Sequence, residues 1–367
     1  KEDYFEYISF IDEFMITFEP NEHITALTDT ILSQINAYPL VPPSASLVDM
    51  ADTETNDLIM EYNYICMDIF HKDAEKIKGF FYKFQKIIDN ETNIAYAKKN
   101  IPRYSFFLKN GMDNYDHEIS IISQLNHPSI LKLIGYNPSE PGDYPFMITE
   151  YAKNDTLEKA IRVIERNSKK INLNDTQKLI IIYGIASGMA YLHSHNIIHR
   201  DLKPDNIFLD KHYFPKIGGF TISKELTTTS KEYSSHIIGT PIYLSPETYL
   251  KKEYSKSSDV YSFSLIMYEL FTTKRPYEEF RSPNVIKEKI ANENYRPEFD
   301  KPIPYCYQNL IERCWSANPE DRPTFDEIVQ ELKTNPEFIT DSLDKEDYQN
   351  YIKYISESNI TFDTFKR

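Results

Sequence analysis

The chain has 367 residues, 41% hydrophobic and 26% charged, with a mean hydropathy of −0.52, which fits two or three folded domains and excludes a disordered or membrane-embedded chain. Asp and Glu outnumber Lys and Arg 56 to 41, a net charge of −15, so nucleic acid is not an expected partner. Nine glycines, none before Gly79, exclude a P-loop or dinucleotide site from the first 78 residues, because such sites use glycine to bring backbone N–H groups to phosphate.

Apolar positions Ile24, Leu27, Ile31, Leu32 and Ile35 predict an amphipathic helix within 21–38. Residues 39–46, with prolines at 39, 42 and 43, read as a linker, and 49–70 as a return to helix. Short β-prone segments run from about Lys76 to Tyr151, with residues 89–93 as a hairpin turn and one helix, about 114–125, among them. Beyond residue 157 the pattern is helical, over about 174–195, 256–272, 283–292, 305–315 and 324–332. The longest apolar run, 179–192, is too short for a bilayer and contains Gly184, Ser187 and Gly188, so it reads as a buried helix with no transmembrane segment. Cys66, Cys306 and Cys314 form no CxxC, which fits a reducing, cytoplasmic compartment.

The expected fold is therefore α+β: a helical preface over 1–70, a two-lobed unit over 71–333 and an acidic helical tail over 334–367. The β-rich lobe spans 71–151 and the α-rich lobe 152–333. The tail repeats the start. Residues 1–18 recur at an offset of 344 as residues 345–362 with eleven identities, among them Lys1-Glu2-Asp3-Tyr4, Tyr7-Ile8 and Ile11. One reading is two similar acidic helices; the preferred one is a neighbouring repeat unit in a longer polypeptide.

The densest chemistry lies in His199-Arg200-Asp201-Leu202-Lys203-Pro204-Asp205-Asn206. This octapeptide resembles the catalytic loop of the protein kinases. The resemblance implies a bilobal kinase fold in which Asp201 positions a hydroxyl, Lys203 faces the transferring phosphate and Asn206 binds Mg²⁺. His193, His195 and His199 offer a rival metal site, but no Cys or well-placed Glu joins them.

Other kinase-like features follow at the family's spacing. Ala97-Lys98-Lys99 resembles the third strand, so Lys99 would hold phosphates and pair with Glu118, nineteen residues on. Thr149 resembles the gatekeeper, with backbone groups of Glu150 and Ala152 meeting adenine and Phe208 on its other face. Gly239-Thr240-Pro241 through Glu247 resembles the end of the activation segment, and the counterparts of Glu247 and Arg322 form a buried ion pair in the family. Thr149, Cys314-Trp315 and Arg322-Pro323-Thr324-Phe325 are similar to the tyrosine-kinase-like group, while Lys203 and Thr240 go with Ser/Thr substrates. An arginine placed like Arg200 commonly reads activation-segment phosphate, for which 227–230 supplies hydroxyls, although that stretch also reads as a solvated loop.

Two features depart from the family pattern. Gly219 stands where the metal-binding aspartate belongs, although Phe220 beside it can still complete a hydrophobic column with Leu133, Ile122 and His199 above Asp259. Mg²⁺ needs hard oxygen ligands, so losing that carboxylate weakens the site. Of the three loop glycines expected at 77, 79 and 82, only Gly79 is present, and Phe84 replaces the valine that covers adenine. These departures point to a pseudokinase or very weak Ser/Thr kinase that uses ATP and Mg²⁺ if active and neither otherwise. The alternatives are an active Ser/Thr kinase acting on a protein substrate and a nucleotide-free scaffold for a protein partner.

Overall fold

The computed structural model describes residues 70–78, 83–100, 111–137, 145–166, 171, 173–226 and 230–357. The repeat at 1–18, the expected elements between 21 and 69, Gly79 and Thr227 to Thr229 lie outside the described residues, as do residues 358–362 of the second repeat.

The small lobe is one antiparallel sheet with strand order β1-β2-β3-β5-β4. Its strands are β1 (Phe70–Lys78), β2 (Lys83–Asp89), β3 (Ala95–Asn100), β4 (Leu133–Asn137) and β5 (Phe146–Glu150). The Asp89 carboxylate sets the β2–β3 turn by accepting from the N–H groups of Glu91 and Thr92 at 2.9 and 2.8 Å, and Asn93 takes the left-handed φ of 57° that asparagine tolerates. Helix α1 (Gly111–Ile122) starts and stops about three residues earlier than expected. It lays Tyr115 and Ile119 on Tyr136 and Met147, and the Tyr115 hydroxyl donates to the Phe146 carbonyl at 2.9 Å.

The large lobe is built around α3 (Asp175–Ser194), preceded by α2 (Leu157–Glu165). Asn174 and Gln177 cap α3 reciprocally, satisfying donors that a helix start leaves open. Leu179, Ile181, Ile185, Met189 and Leu192 are all fully buried, which explains the long apolar run: α3 is covered on every side. No helix among the described residues is long and apolar enough to cross a membrane. Short strands β6 (Ile197–Ile198), β7 (Ile207–Leu209), β8 (Pro215–Ile217), β9 (Lys224–Glu225) and β10 (Lys231–Tyr233) carry the loops of the site. After α4 (Pro246–Lys251) and β11 (Glu253–Ser255) come α5 (Lys256–Thr272), α6 (Pro283–Ala291), α7 (Tyr305–Cys314) and α8 (Phe325–Thr334). The edge of Phe325 meets Phe263 across α8 and α5, ring centres 5.3 Å apart.

Packing continues beyond α8. Helix α9 (Lys345–Ser356) is capped by the Asp344 carboxylate and buries Tyr348, Tyr351, Ile352 and Ile355 against α3. Burying each isoleucine is worth roughly 1.5–3 kcal/mol, so α9 contributes several kcal/mol to the large lobe. Gly184 makes the room for it. A Cβ at that position would strike the Tyr351 hydroxyl and lie 2.5 Å from Pro215. Gly184→Ala is therefore expected to cost roughly 1–3 kcal/mol in denaturant unfolding, and less in a Tyr351→Phe background. Equal costs in the two backgrounds would show that the hydroxyl is not the obstacle.

Candidate active site

The loop 199–206 hangs from one carboxylate. Asp259 on α5, 1% exposed, accepts from the backbone N–H of His199 at 2.9 Å and of Arg200 at 3.0 Å, and from the His193 ring at 2.9 Å. These bonds hold Arg200 at a left-handed φ of 65°, a conformation that costs free energy without such support. The His199 ring donates to the Gly218 carbonyl at 2.9 Å and tilts over Phe220, 5.3 Å between centres. His195 instead bonds the Tyr191 carbonyl at 2.9 Å. The three histidines of the rival metal reading thus serve separate partners.

Past that anchor, side chains converge on Asp201. Its Oδ1 accepts from the Thr240 backbone N–H at 3.1 Å and hydroxyl at 2.7 Å, and its Oδ2 from Asn206 at 3.0 Å, with the Lys203 ammonium 3.1 Å away. Lys203 also donates to the Thr240 hydroxyl at 2.5 Å. A carboxylate held on both oxygens has a fixed orientation, which general-base positioning of a hydroxyl requires.

Within the small lobe, the Lys99 ammonium meets both Glu118 oxygens, at 2.9 and 2.7 Å, with the two residues 8% and 4% exposed. Charges that deep are tolerated only when paired and hydrogen-bonded. The Thr221 hydroxyl supplies a further bond, donating to Glu118 Oε2 at 2.8 Å, and the neighbouring His117 ring donates to the Ser223 carbonyl at 2.6 Å. Helix α1 is thus fastened to the segment 221–223 that leaves the site. Neither Thr221 nor His117 was expected from the sequence, since an isolated Thr or His carries no signal until the fold brings it to its partner.

Gly219 takes φ 79°, and a Cβ there would lie 2.5 Å from Asn206 Cγ and Oδ1. The Asn206 amide, tied to Asp201, occupies the space an acidic side chain would enter. Thr149 is buried at the end of β5, with Ala97 opposite it in the β3–β5 register and Phe84 opposite Lys99 in the β2–β3 register. The Phe208 ring lies over Gly218. The Glu150 carboxylate turns to Lys216 at 3.2 Å and to the Lys132 N–H at 2.9 Å, while Ala152 follows in the connection to α2. Burial disfavours the Lys216 charge, but Glu150, Tyr354 and Asp210 outweigh it and hold its pKa above the ordinary lysine value. Farther down, Arg322 grips Glu247 through two bonds of 2.7 and 2.8 Å. Arg200 donates to the Ile222 carbonyl at 2.5 Å, and Ser230 is exposed.

With this geometry in view, residues 75–332 match the family model described as the protein kinase domain. The chain belongs to the protein kinase family. It is 33% identical over 223 residues to the RGS domain-containing serine/threonine-protein kinase A of Dictyostelium discoideum, 61% of this chain and 19% of that protein. Two dual specificity kinases of the same organism are also similar. The one named shkB is 28% identical over 302 residues, 81% of this chain and 45% of that protein, and pyk3 is 32% identical over 254 residues, 67% and 18%. The chain spans less than half the length of these relatives. The β-sheet small lobe and helical large lobe are the two lobes of the protein kinase fold.

Two measurements probe this site. Thr221→Val removes the hydroxyl from Glu118 and is expected to cost roughly 1 kcal/mol in stability, with Thr221→Ser near wild type; equal losses would assign the effect to packing. In the large lobe, the Tyr243 hydroxyl donates to Glu269 at 2.5 Å, and burial lifts the Glu269 carboxyl to a pKa of about 8 against the lowering pull of that bond and of Arg275. An unfolded glutamate titrates near 4.5, so the folded chain holds an extra proton between about 4.5 and about 8, and stability falls as pH rises through that window. Glu269→Gln is expected to melt higher than wild type at pH 8, by about 1 kcal/mol or more, with the advantage disappearing toward pH 5. An advantage that does not change with pH would contradict this.

Proposed function

We propose that this chain is a pseudokinase or very weak Ser/Thr kinase of the tyrosine-kinase-like group, acting in cytoplasmic signalling on protein partners. The observation that carries this reading is the pairing of Gly219 with Asn206. Where a kinase holds the metal-binding carboxylate, this chain has a glycine, and the remaining amide leans over it. The donor set does not fit Mg²⁺ in the family manner, because Asn206 contributes one neutral oxygen and Gly219 none. Among the described residues, no cluster of three or more His, Cys, Asp or Glu could replace it.

An active Ser/Thr kinase is the second reading, favoured by the fixed Asp201–Lys203–Thr240 network and the closed Lys99–Glu118 pair. In both readings Lys99 would attract nucleotide phosphate and the backbone of Glu150 and Ala152 would meet adenine. The repeated segment supports a neighbouring unit of the same kind in a longer polypeptide. The similarity of Thr149, Trp315 and Arg322-Pro323 supports the group assignment.

A thermal-shift titration with ATP, with and without Mg²⁺, separates the readings. The expected wild-type result is a nucleotide shift that Mg²⁺ leaves unchanged, and phosphorylation of a generic Ser/Thr substrate far below the usual 1–100 per second. Ordinary turnover would overturn the pseudokinase reading, and no nucleotide shift at all would favour the scaffold. Gly219→Asp should lower the ligand-free melting temperature, since Asn206 must leave its bond to Asp201, and should make the nucleotide shift respond to Mg²⁺.

A further inference from the structure

The middle residue of β8 carries a charge that the fold closes off from water. Lys216 is 7% exposed, and its ammonium meets the Glu150 carboxylate at the end of β5, 3.2 Å away. The other oxygen of that carboxylate accepts from the Lys132 backbone N–H at 2.9 Å, just before β4. Lys132 is itself exposed, so its amide owes its shelter to Glu150. Backbone bonds tie β8 to the same stretch: the Ile217 N–H donates to the Ser129 carbonyl and the Leu131 N–H to the Ile217 carbonyl, both at 2.8 Å.

Helix α9 lies over this strip. The Tyr351 ring is 4.5 Å from Phe214, two residues before Lys216, and its hydroxyl lies 3.3 Å from that of Ser129. Three residues on, the Tyr354 ring stands 6.0 Å from both Phe214 and Tyr351. Burial disfavours the Lys216 charge, and Glu150, Tyr354 and Asp210 restore it, so Tyr354 is near enough to act on the ammonium. Such a cover decides how strong the pair is. An exposed Lys–Glu pair contributes little because water and salt screen it, whereas a pair kept from water attracts strongly and is costly to break.

We propose that α9 is a clamp on the connection between the two lobes: docked over β8 it keeps water from the Lys216–Glu150 pair and so pins the end of β5, and undocked it frees that end while the large lobe stays folded. Lys216 is the positioning residue through which the helix acts. Glu150 leads directly into Tyr151 and Ala152, the chain that runs on to α2, and Lys216 stands opposite Phe208 in the β7–β8 register. The state of α9 is therefore felt on both sides of that connection. The proposal does not depend on nucleotide binding.

The test is amide hydrogen exchange in the full chain, with the Lys132 amide as reporter of the Glu150 carboxylate and the amides of Ile185 and Met189 in α3 as the measure of global opening. Tyr354→Ala strips the cover and leaves the buried face of α9 intact. It is expected to speed exchange at Lys132 roughly tenfold, the difference between a covered pair and an exposed one, with little change in α3. Ile355→Ala, which loosens the whole helix, should speed Lys132 by a larger factor than α3. Lys216→Met keeps the aliphatic stem and removes the charge, so in that background Tyr354→Ala should add nothing at Lys132. Raising salt from about 0.1 M to about 1 M shortens the Debye length from about 10 Å to about 3 Å; it should speed Lys132 in the Tyr354→Ala chain and leave the wild type unchanged. An unaltered Lys132 rate in Tyr354→Ala, equal acceleration at Lys132 and in α3, or a Tyr354→Ala effect that persists without the Lys216 charge would each overturn the proposal.

Discussion

The buried carboxylate of Asp259 is the constraint on which the rest of the site depends. It accepts from two consecutive backbone N–H groups and from His193, so it fixes the chain direction at His199 and Arg200 where a left-handed residue would otherwise be unfavourable. Everything beyond follows from that fixed start. The His199 ring reaches Gly218, Phe220 is seated, and Asp201 emerges at the one orientation in which Thr240 and Asn206 both bond it. A buried carboxylate satisfied by backbone donors is strong because each donor would itself be costly to leave unpaired.

The same scaffold carries an imbalance. On one side the Lys99–Glu118 pair is closed and reinforced by the Thr221 hydroxyl. On the other, Gly219 carries no side chain and the Asn206 amide takes the space beside it. Thr221 and the salt bridge are neutral or attractive contacts that need no metal, whereas a metal site needs oxygen ligands that converge.

Helix α9 extends the hydrophobic core to residue 355, beyond the boundary at 333 drawn from the family resemblance. Its docking runs along the back of α3 and touches Ser129, Pro215 and the surroundings of Lys216. Lys216 in turn pairs with Glu150 at the end of β5, so the terminal helix and that strand share a neighbour.

Most of the fold was legible because its signals are local. The period of the apolar residues gave α3, α5, α6, α7 and α8 to within about two residues but not the shorter α2 and α4, and the family match identifies the two lobes as a kinase fold. The octapeptide 199–206 and the Lys99 and Glu118 spacing stood out in the sequence, and the fold brings Lys99 and Glu118 together. Helix α1 was misplaced by about three residues because its ends carry no clear caps in the sequence. By itself, the sequence determined membership of the protein kinase family and the glycine at 219, because both are matters of residue identity. Only the tertiary structure decided that Thr221 bonds Glu118, that Asn206 covers Gly219, and that Gly184 admits Tyr351. The last of these joins residues 167 positions apart and the first joins residues 103 apart, and no local pattern can encode a contact whose geometry exists only once both segments are packed.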